Sequence, residues 1–214
     1  MFRKTLVALA LIGASASAQS AVVINEGFNN VVTLAAAGWV QTNASTPVGI
    51  TGWGQGSIDT ANFFAAQAGA ANSFISANFN NAAAGGTIKN YLITPLFSTA
   101  ESVFISFFAR GLADPEFSDQ FAFGFSSGST ATSAFTLGPI ITATTDGWTQ
   151  YLVNLGAQGA GTVGRFAIEY TGPANNANYF GVDSLVAQVP EPSTWMMLGA
   201  GLLALLGVRR RKQI

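Results

Sequence analysis

The chain has 214 residues with 9 Lys and Arg, 10 Asp and Glu, and neither cysteine nor histidine. That composition excludes Ser-His-Asp and Cys-His catalysis and the usual zinc sites, each of which needs a missing residue type. Six of the nine cations lie at the termini, so residues 19–189 carry nine acidic against three basic side chains, a net charge of −6; no basic patch is left for a phosphate backbone, and nucleic acid is excluded as a partner.

Residues 1–18 read as a secretory signal peptide. Arg3 and Lys4 make the positive start, residues 5–12 a short apolar run, and Ala16-Ser17-Ala18 a small-residue cleavage site before Gln19. This start addresses the chain to the Sec export machinery. The body that follows has only 12 charged residues among the 171 of residues 19–189, against a usual share of about 25%. Its polarity must come from Asn, Gln, Ser and Thr, while its many aromatics set it apart from disordered sequence. A chain of this length buries roughly 70% of its unfolded surface, so the lack of disulfides does not argue against export.

Val22-Val23-Ile24 opens the body, and residues 31–37 fit one or two helical turns. Strand signals follow at residues 73–79, 88–94, 103–109, 121–125, 148–155, 163–170 and 179–186. The separating turn signals are Gly85-Gly86, Asp114-Pro115, Ser127-Gly128, Asp146-Gly147 and Gly172-Pro173. Eight or nine short strands at this spacing predict an all-β fold, an antiparallel β-sandwich over residues 22–188.

Residues 189–212 form a three-part tail: Val189-Pro190-Glu191-Pro192-Ser193, an apolar run over 195–208, and Arg209-Arg210-Arg211-Lys212. The prolines hold an extended, accessible segment. Fourteen apolar residues at about 1.5 Å each span about 21 Å, short of a hydrocarbon core of about 30 Å. Trp195 and the basic cluster lengthen that span as interfacial anchors, giving a single transmembrane helix with Arg209 to Lys212 as a cytoplasmic stop. On physics alone, a temporary sorting helix and a permanent tail anchor both stand.

With Pro190-Glu191-Pro192, the small-residue-rich apolar run and the arginine end together at the terminus, this tail resembles the PEP-CTERM sorting signal of Gram-negative bacteria. The resemblance implies processing near the motif by an exosortase, a membrane-embedded cysteine protease. It also implies transient anchoring in the inner membrane, a final place at the cell surface or outside it, and an organism that makes exopolysaccharide and biofilm. The body resembles the choice-of-anchor J type of bacterial surface domain, on Glu26-Gly27-Phe28-Asn29-Asn30, Gly38-Trp39, Asn90-Tyr91-Leu92-Ile93-Thr94-Pro95 and Phe180-Gly181-Val182-Asp183-Ser184-Leu185. That likeness implies a jelly-roll-like module of the adhesin and carbohydrate-binding kind. In a jelly roll the first and last strands lie close, so Glu26 and Asp183 are the expected ligands of a structural calcium at the seam; the plainer alternative is that Asp183 pairs locally and Glu26 is solvated. No other cofactor is expected.

The remaining candidates are weaker. Asp114-Pro115-Glu116-Phe117-Ser118-Asp119 is the densest acidic stretch and lacks EF-hand spacing, so it reads as a solvated turn before a calcium loop. Trp53, between glycines in Gly52-Trp53-Gly54, is the expected exposed ring for stacking on sugars, set against core packing as the commoner fate of such a ring. Three functions remain open. The first is a non-catalytic exported surface or extracellular-matrix protein sorted by its tail. The second is a carbohydrate-binding module for exopolysaccharide, which an exposed aromatic platform in a groove would favour. The third is a surface hydrolase using two carboxylates, which a pair facing into one cleft would favour.

Overall fold

The computed structural model describes residues 21–57 and 63–189. The signal peptide, the Pro190-Glu191-Pro192 motif, the apolar run and the basic end all lie outside the described residues. Fourteen strands follow in order: β1 (Ala21–Glu26), β2 (Val40–Asn43), β3 (Thr46–Val48), β4 (Gly54–Gln55), β5 (Ile75–Asn78), β6 (Ala82–Ile93), β7 (Phe97–Ser98), β8 (Val103–Gly111), β9 (Gln120–Ser126), β10 (Thr136–Leu137), β11 (Ile141–Thr142), β12 (Thr149–Leu155), β13 (Val163–Pro173) and β14 (Tyr179–Val189). Short 3-10 turns lie at Val31–Thr33, Phe79–Asn81, Thr132–Ala134 and Ala174–Asn176. Among the described residues no helix is long and apolar enough to cross a membrane.

All pairings are antiparallel. One sheet runs β12-β8-β14-β5-β4, with β1 beside β14; the other runs β10-β9-β13-β6-β2, with β11 on β9, β3 on β6 and β7 on β13. The chain crosses between the sheets repeatedly, from β1 to β2, β3 to β4, β5 to β6, β7 to β8, β8 to β9, β11 to β12, β12 to β13 and β13 to β14. Ala21–Val189 forms a single compact unit. The expected all-β antiparallel sandwich is what the residues build.

Alternation drives it. In β8, Val103, Ile105, Phe107 and Ala109 turn inward while Phe104 stays exposed, as a period of two requires. Between the sheets Phe107, Phe121, Phe166, Tyr170 and Phe180 are fully buried. Tyr170 and Phe180 stack at 5.3 Å, and Phe121 stacks on Phe180 at 5.0 Å. Each such side chain contributes about 1.5–3 kcal/mol by leaving water.

Two turn signals mark something else. Gly85-Gly86 lies inside β6, where Gly85 takes φ +74°, and Gly172-Pro173 closes β13 with Gly172 at φ +118°. Glycine holds such angles without strain, so Gly85 bends a strand that continues, while Gly172 turns the end of β13 into the 3-10 turn at Ala174–Asn176. The helical signal at 31–37 shortens to the single turn Val31–Thr33, capped by the Asn30 side chain on Val32 N.

A candidate ligand groove

The groove forms where three irregular segments meet beside β6. Asn78 caps the turn Phe79–Asn81, its side chain accepting from Asn80 N at 2.9 Å. After β8, Asp114-Pro115 starts a tight turn, with Phe117 N donating to Asp114 O at 3.2 Å and Glu116 N to Asp114 Oδ1 at 3.1 Å. Aspartate first and proline second are the residues such a turn prefers. The third segment is Ala174–Asn176 and the residues after it. Phe79 N donates to Asn178 O at 3.0 Å and Ser118 N to Asn176 O at 2.7 Å, joining all three.

Phe79, Asn80, Ala82, Ala84, Asp114, Phe117, Ala174, Asn175, Ala177 and Asn178 line a groove of about 500 Å³, within the usual 300–1,000 Å³ of small-molecule sites. Phe79 is 45% exposed and Phe117 37%, so two aromatic rings stand in water beside the groove. Asn178 Nδ2 donates to Asp114 Oδ2 at 3.2 Å, and Asn175 Oδ1 accepts from Gly85 N at 3.0 Å. Asn175 Nδ2, Asn178 Oδ1 and the Asn80 amide keep capacity for an added ligand. No Lys or Arg lines the groove.

Asp119 supports this end from beneath. Against the expectation of a solvated turn, it is 3% exposed. Its Oδ1 accepts from the Tyr170 hydroxyl at 2.5 Å and from Asn178 N at 2.9 Å; its Oδ2 accepts from Tyr179 N at 3.2 Å. Burial pushes the Asp119 carboxyl up from its ordinary value, and these hydrogen bonds oppose the push. The same burial and the adjacent carboxylate hold the Tyr170 hydroxyl well above the usual tyrosine range. Asparagines brace the other wall. Asn90 Nδ2 donates to Asn81 Oδ1 at 2.7 Å, Asn81 Nδ2 to Thr51 Oγ1 at 2.8 Å, and Asn43 Nδ2 to Asn81 O at 2.8 Å. Asn81 and Asn90 are fully buried, so part of the asparagine content is an interior network rather than surface polarity.

Trp53 is placed differently from its expected role. It is 6% exposed and meets Phe180 edge to face at 6.1 Å, and its Nε1 is buried without a hydrogen-bond partner. The flanking glycines let the backbone bring the ring inward, and only its edge reaches the groove of about 460 Å³ that it lines with Trp39 and Gln55.

Glu26 and Asp183 do come to one seam, because Glu26 pairs with Leu185, two residues from Asp183, across β1 and β14. Asp183 is fully buried at the register shift in β14, where Ser184 takes φ +50°. Its carboxylate accepts from Gln67 N at 2.8 Å, Ala68 N at 3.1 Å and Ser184 N at 2.6 Å. Burial raises its pKa and those same donors lower it. Glu26 Oε1 accepts from Phe28 N at 2.7 Å. Calcium needs six to eight oxygens with free lone pairs, and N–H donors already point at those of Asp183. Among the described residues no group of three or more acidic side chains gathers around a common point. The donor set does not fit the ion.

Glu169, Asp114 and Asp119 are engaged as well. Glu169 is buried against Tyr91, whose hydroxyl bonds to it; burial raises Glu169, and burial together with Glu169 pushes the Tyr91 hydroxyl up to about 12. Asp114 and Asp119 are bridged by Asn178, yet Asp119 is closed off and fully occupied, which leaves no acid–base pair open to the groove.

Residues 188–212 match the PEP-CTERM protein-sorting motif. The motif marks an exported surface protein and implies processing by an exosortase. No curated protein sequence matches the chain. Among solved structures, the K3 cleaved adhesin domain of Lys-gingipain from Porphyromonas gingivalis is similar at TM-score 0.60 and 21% identity, covering 79% of this chain and 99% of that one. The K1 cleaved adhesin domain of the same protein is similar at TM-score 0.59 and 21% identity, covering 78% and 98%. The CBM22-1 xylan-binding domain of Paenibacillus barcinonensis Xyn10C aligns at TM-score 0.45 and 11% identity, covering 83% and 100%. At these identities the adhesin domains establish a shared fold and no more, and the last alignment carries no argument. None of these is a catalytic family.

Sequence reasoning missed Phe79 and Phe117. A signal was present, since each ring lies beside strong turn formers, Asn78 to Asn81 and Asp114-Pro115, where a phenylalanine has no strand face to bury.

Proposed function

We propose that the protein is a non-catalytic carbohydrate-binding module exported to the cell surface, and that the groove beside Phe79 and Phe117 takes sugar rings of an exopolysaccharide. One observation carries the reading: two half-exposed aromatic rings share a groove with three asparagine amides and no cation. Aromatic faces pack on the C–H faces of pyranose rings, and amides donate to and accept from their hydroxyls. Asp114 and the −6 body disfavour sulfated or uronic polymers, so the ligand is a neutral glycan. The resemblance of the body to choice-of-anchor J domains and of the tail to biofilm-associated sorting signals agrees with this role. A matrix protein without a ligand would have no use for exposed rings there, and a hydrolase would need a second open carboxylate.

Glycan-array screening followed by calorimetry tests it. Phe79→Ala and Phe117→Ala should each weaken binding of a neutral glycan about tenfold, near 1.4 kcal/mol, with the melting temperature kept. Full affinity in the double variant, or preference for sulfated glycans, would overturn the groove assignment. In the same reading the tail is removed during sorting. Mass spectrometry of protein from the producing organism should find a mature C-terminus before Trp195, and a retained 195–212 tail would make it a permanent anchor.

A further inference from the structure

The edges of the two sheets are not alike. β4, β10 and β11 have two residues each, β3 carries Pro47, β2 has four residues, and β1 is interrupted by a register shift and ends on Glu26. Short strands, proline, bulges and charge are the devices by which sheets prevent their open backbone from recruiting another strand. β12 has none of them. It is the terminal strand of its sheet, pairs with β8 over seven residues without a register shift, and reads Thr-Gln-Tyr-Leu-Val-Asn-Leu, with neither charge nor proline. Among the described residues its outer edge pairs with nothing. Tyr151 and Val153 pack toward the core while Gln150, Leu152 and Asn154 face out, Leu152 at 77% exposure.

We infer that β12 pairs antiparallel with β12 of a second copy of this chain, fusing the two sheets across a two-fold axis at Leu152. The strand is its own complement in that register. Leu152 meets Leu152 of the copy, Gln150 meets Asn154, and Tyr151 meets Val153, so the outer face joins amide to amide and leucine to leucine while the inner face joins Tyr151 to Val153 and, at the ends, Thr149 to Leu155. A two-fold contact of this kind is closed and yields a dimer rather than a fibre. Electrostatics oppose a contact between copies in general and favour this place for one. Two bodies of net charge −6 repel, and β12, with the outward Phe104 and Ser106 of neighbouring β8, presents an uncharged strip along which they approach with least opposition. Pairing would also restore the backbone hydrogen bonds that the edge leaves to water.

The test uses residues 21–189, whose described strands, core and hydrogen bonds all lie within the unit. Light scattering at high micromolar concentration should give the dimer mass. Leu152→Lys, which sets like charges directly opposite one another, should give the monomer with unchanged far-UV circular dichroism. Because the chain has no cysteine, Leu152→Cys should form an intermolecular disulfide under mild oxidation much faster than a control at Ile140, which is 62% exposed on another surface. A monomeric wild type, a Leu152→Lys dimer, or equal rates for the two cysteine variants would overturn the pairing. So would a monomer whose β12 amides resist hydrogen exchange, since another segment of the same chain would then cover the edge.

Discussion

Asp119 and Asp183 are both buried carboxylates that accept from backbone amides, yet the segments they fasten present opposite surfaces. Asp119 holds the start of β14 and, through Asn178, the turn that carries Asp114 and Phe117, and there the rings of Phe79 and Phe117 stand in water. Asp183 holds the stretch at Gln67 and Ala68, and beside it the rings turn inward: Phe64 packs on Phe74, Trp148 and Tyr179 within 5.6 Å. The same fastening serves two ends. A buried carboxylate orders irregular chain by giving its amides an acceptor; whether the ordered chain then binds a partner depends on where its aromatics point.

Inward rings should therefore govern stability and outward rings binding. The largest expected effect is at Trp53, in the inward set. Trp53→Ala should cost about 3–5 kcal/mol, as for other large-to-small core changes, read from the urea midpoint, with glycan affinity of the folded fraction unchanged. A stability loss below about 1 kcal/mol together with lost binding would place Trp53 among the binding rings.

Asp119→Ala should come next, at about 3 kcal/mol: it strands the Tyr170 hydroxyl and two backbone amides, each at the lower end of about 1–3 kcal/mol, because the change also removes a carboxyl that its own burial disfavours. Unlike Trp53→Ala, it should also weaken glycan binding, since Asn178 and the Asp114 turn lose their support. Asp119→Asn should fall between, keeping one acceptor.

The eight strands signalled in the sequence all form, from β1 through β14, because alternation and β-branched content act locally and survive any tertiary arrangement. The six short strands were not legible. β4, β7, β10 and β11 have two residues each, too few for a period, and exist only because a longer neighbour offers its edge. The groove was illegible for a related reason: it joins residues near 79, 114 and 175, which no local pattern connects. Trp53 failed in the other direction, since flanking glycines signal a turn without saying which way its ring points. Asp119 looked like the end of an acidic turn, and only the position of Tyr170 on β13 makes it an interior acceptor.

A smaller effect is expected from pH. Burial raises Asp119, Asp183 and Glu169 above their ordinary values, so the folded state binds more protons than the unfolded chain between the ordinary carboxylate range and the raised values. Stability present below that range is then lost as pH rises through it. The urea midpoint should be higher near about pH 5 than near about pH 7, and Asp119→Asn should flatten the difference. A midpoint that rises toward neutral pH would mean that hydrogen bonds to the ionised carboxylates outweigh their burial.

Calcium should have the smallest effect, and that separates the two aspartate ends most sharply. A ligand bound only by the folded state adds RT ln(1 + [L]/Kd), about 2.7 kcal/mol at a hundredfold excess over Kd. A seam built for the ion would therefore melt several degrees higher in millimolar calcium than in chelator. Here the lone pairs of Asp183 already receive the amides of Gln67, Ala68 and Ser184, and a cation could enter only by displacing donors that its own charge repels. We expect melts with calcium and with chelator to superimpose, with Asp183→Asn destabilising equally in both. A calcium-dependent shift that Asp183→Asn abolishes would reverse the assignment, making the seam a metal site and leaving Asp119 alone as the carboxylate that fastens chain by hydrogen bonds.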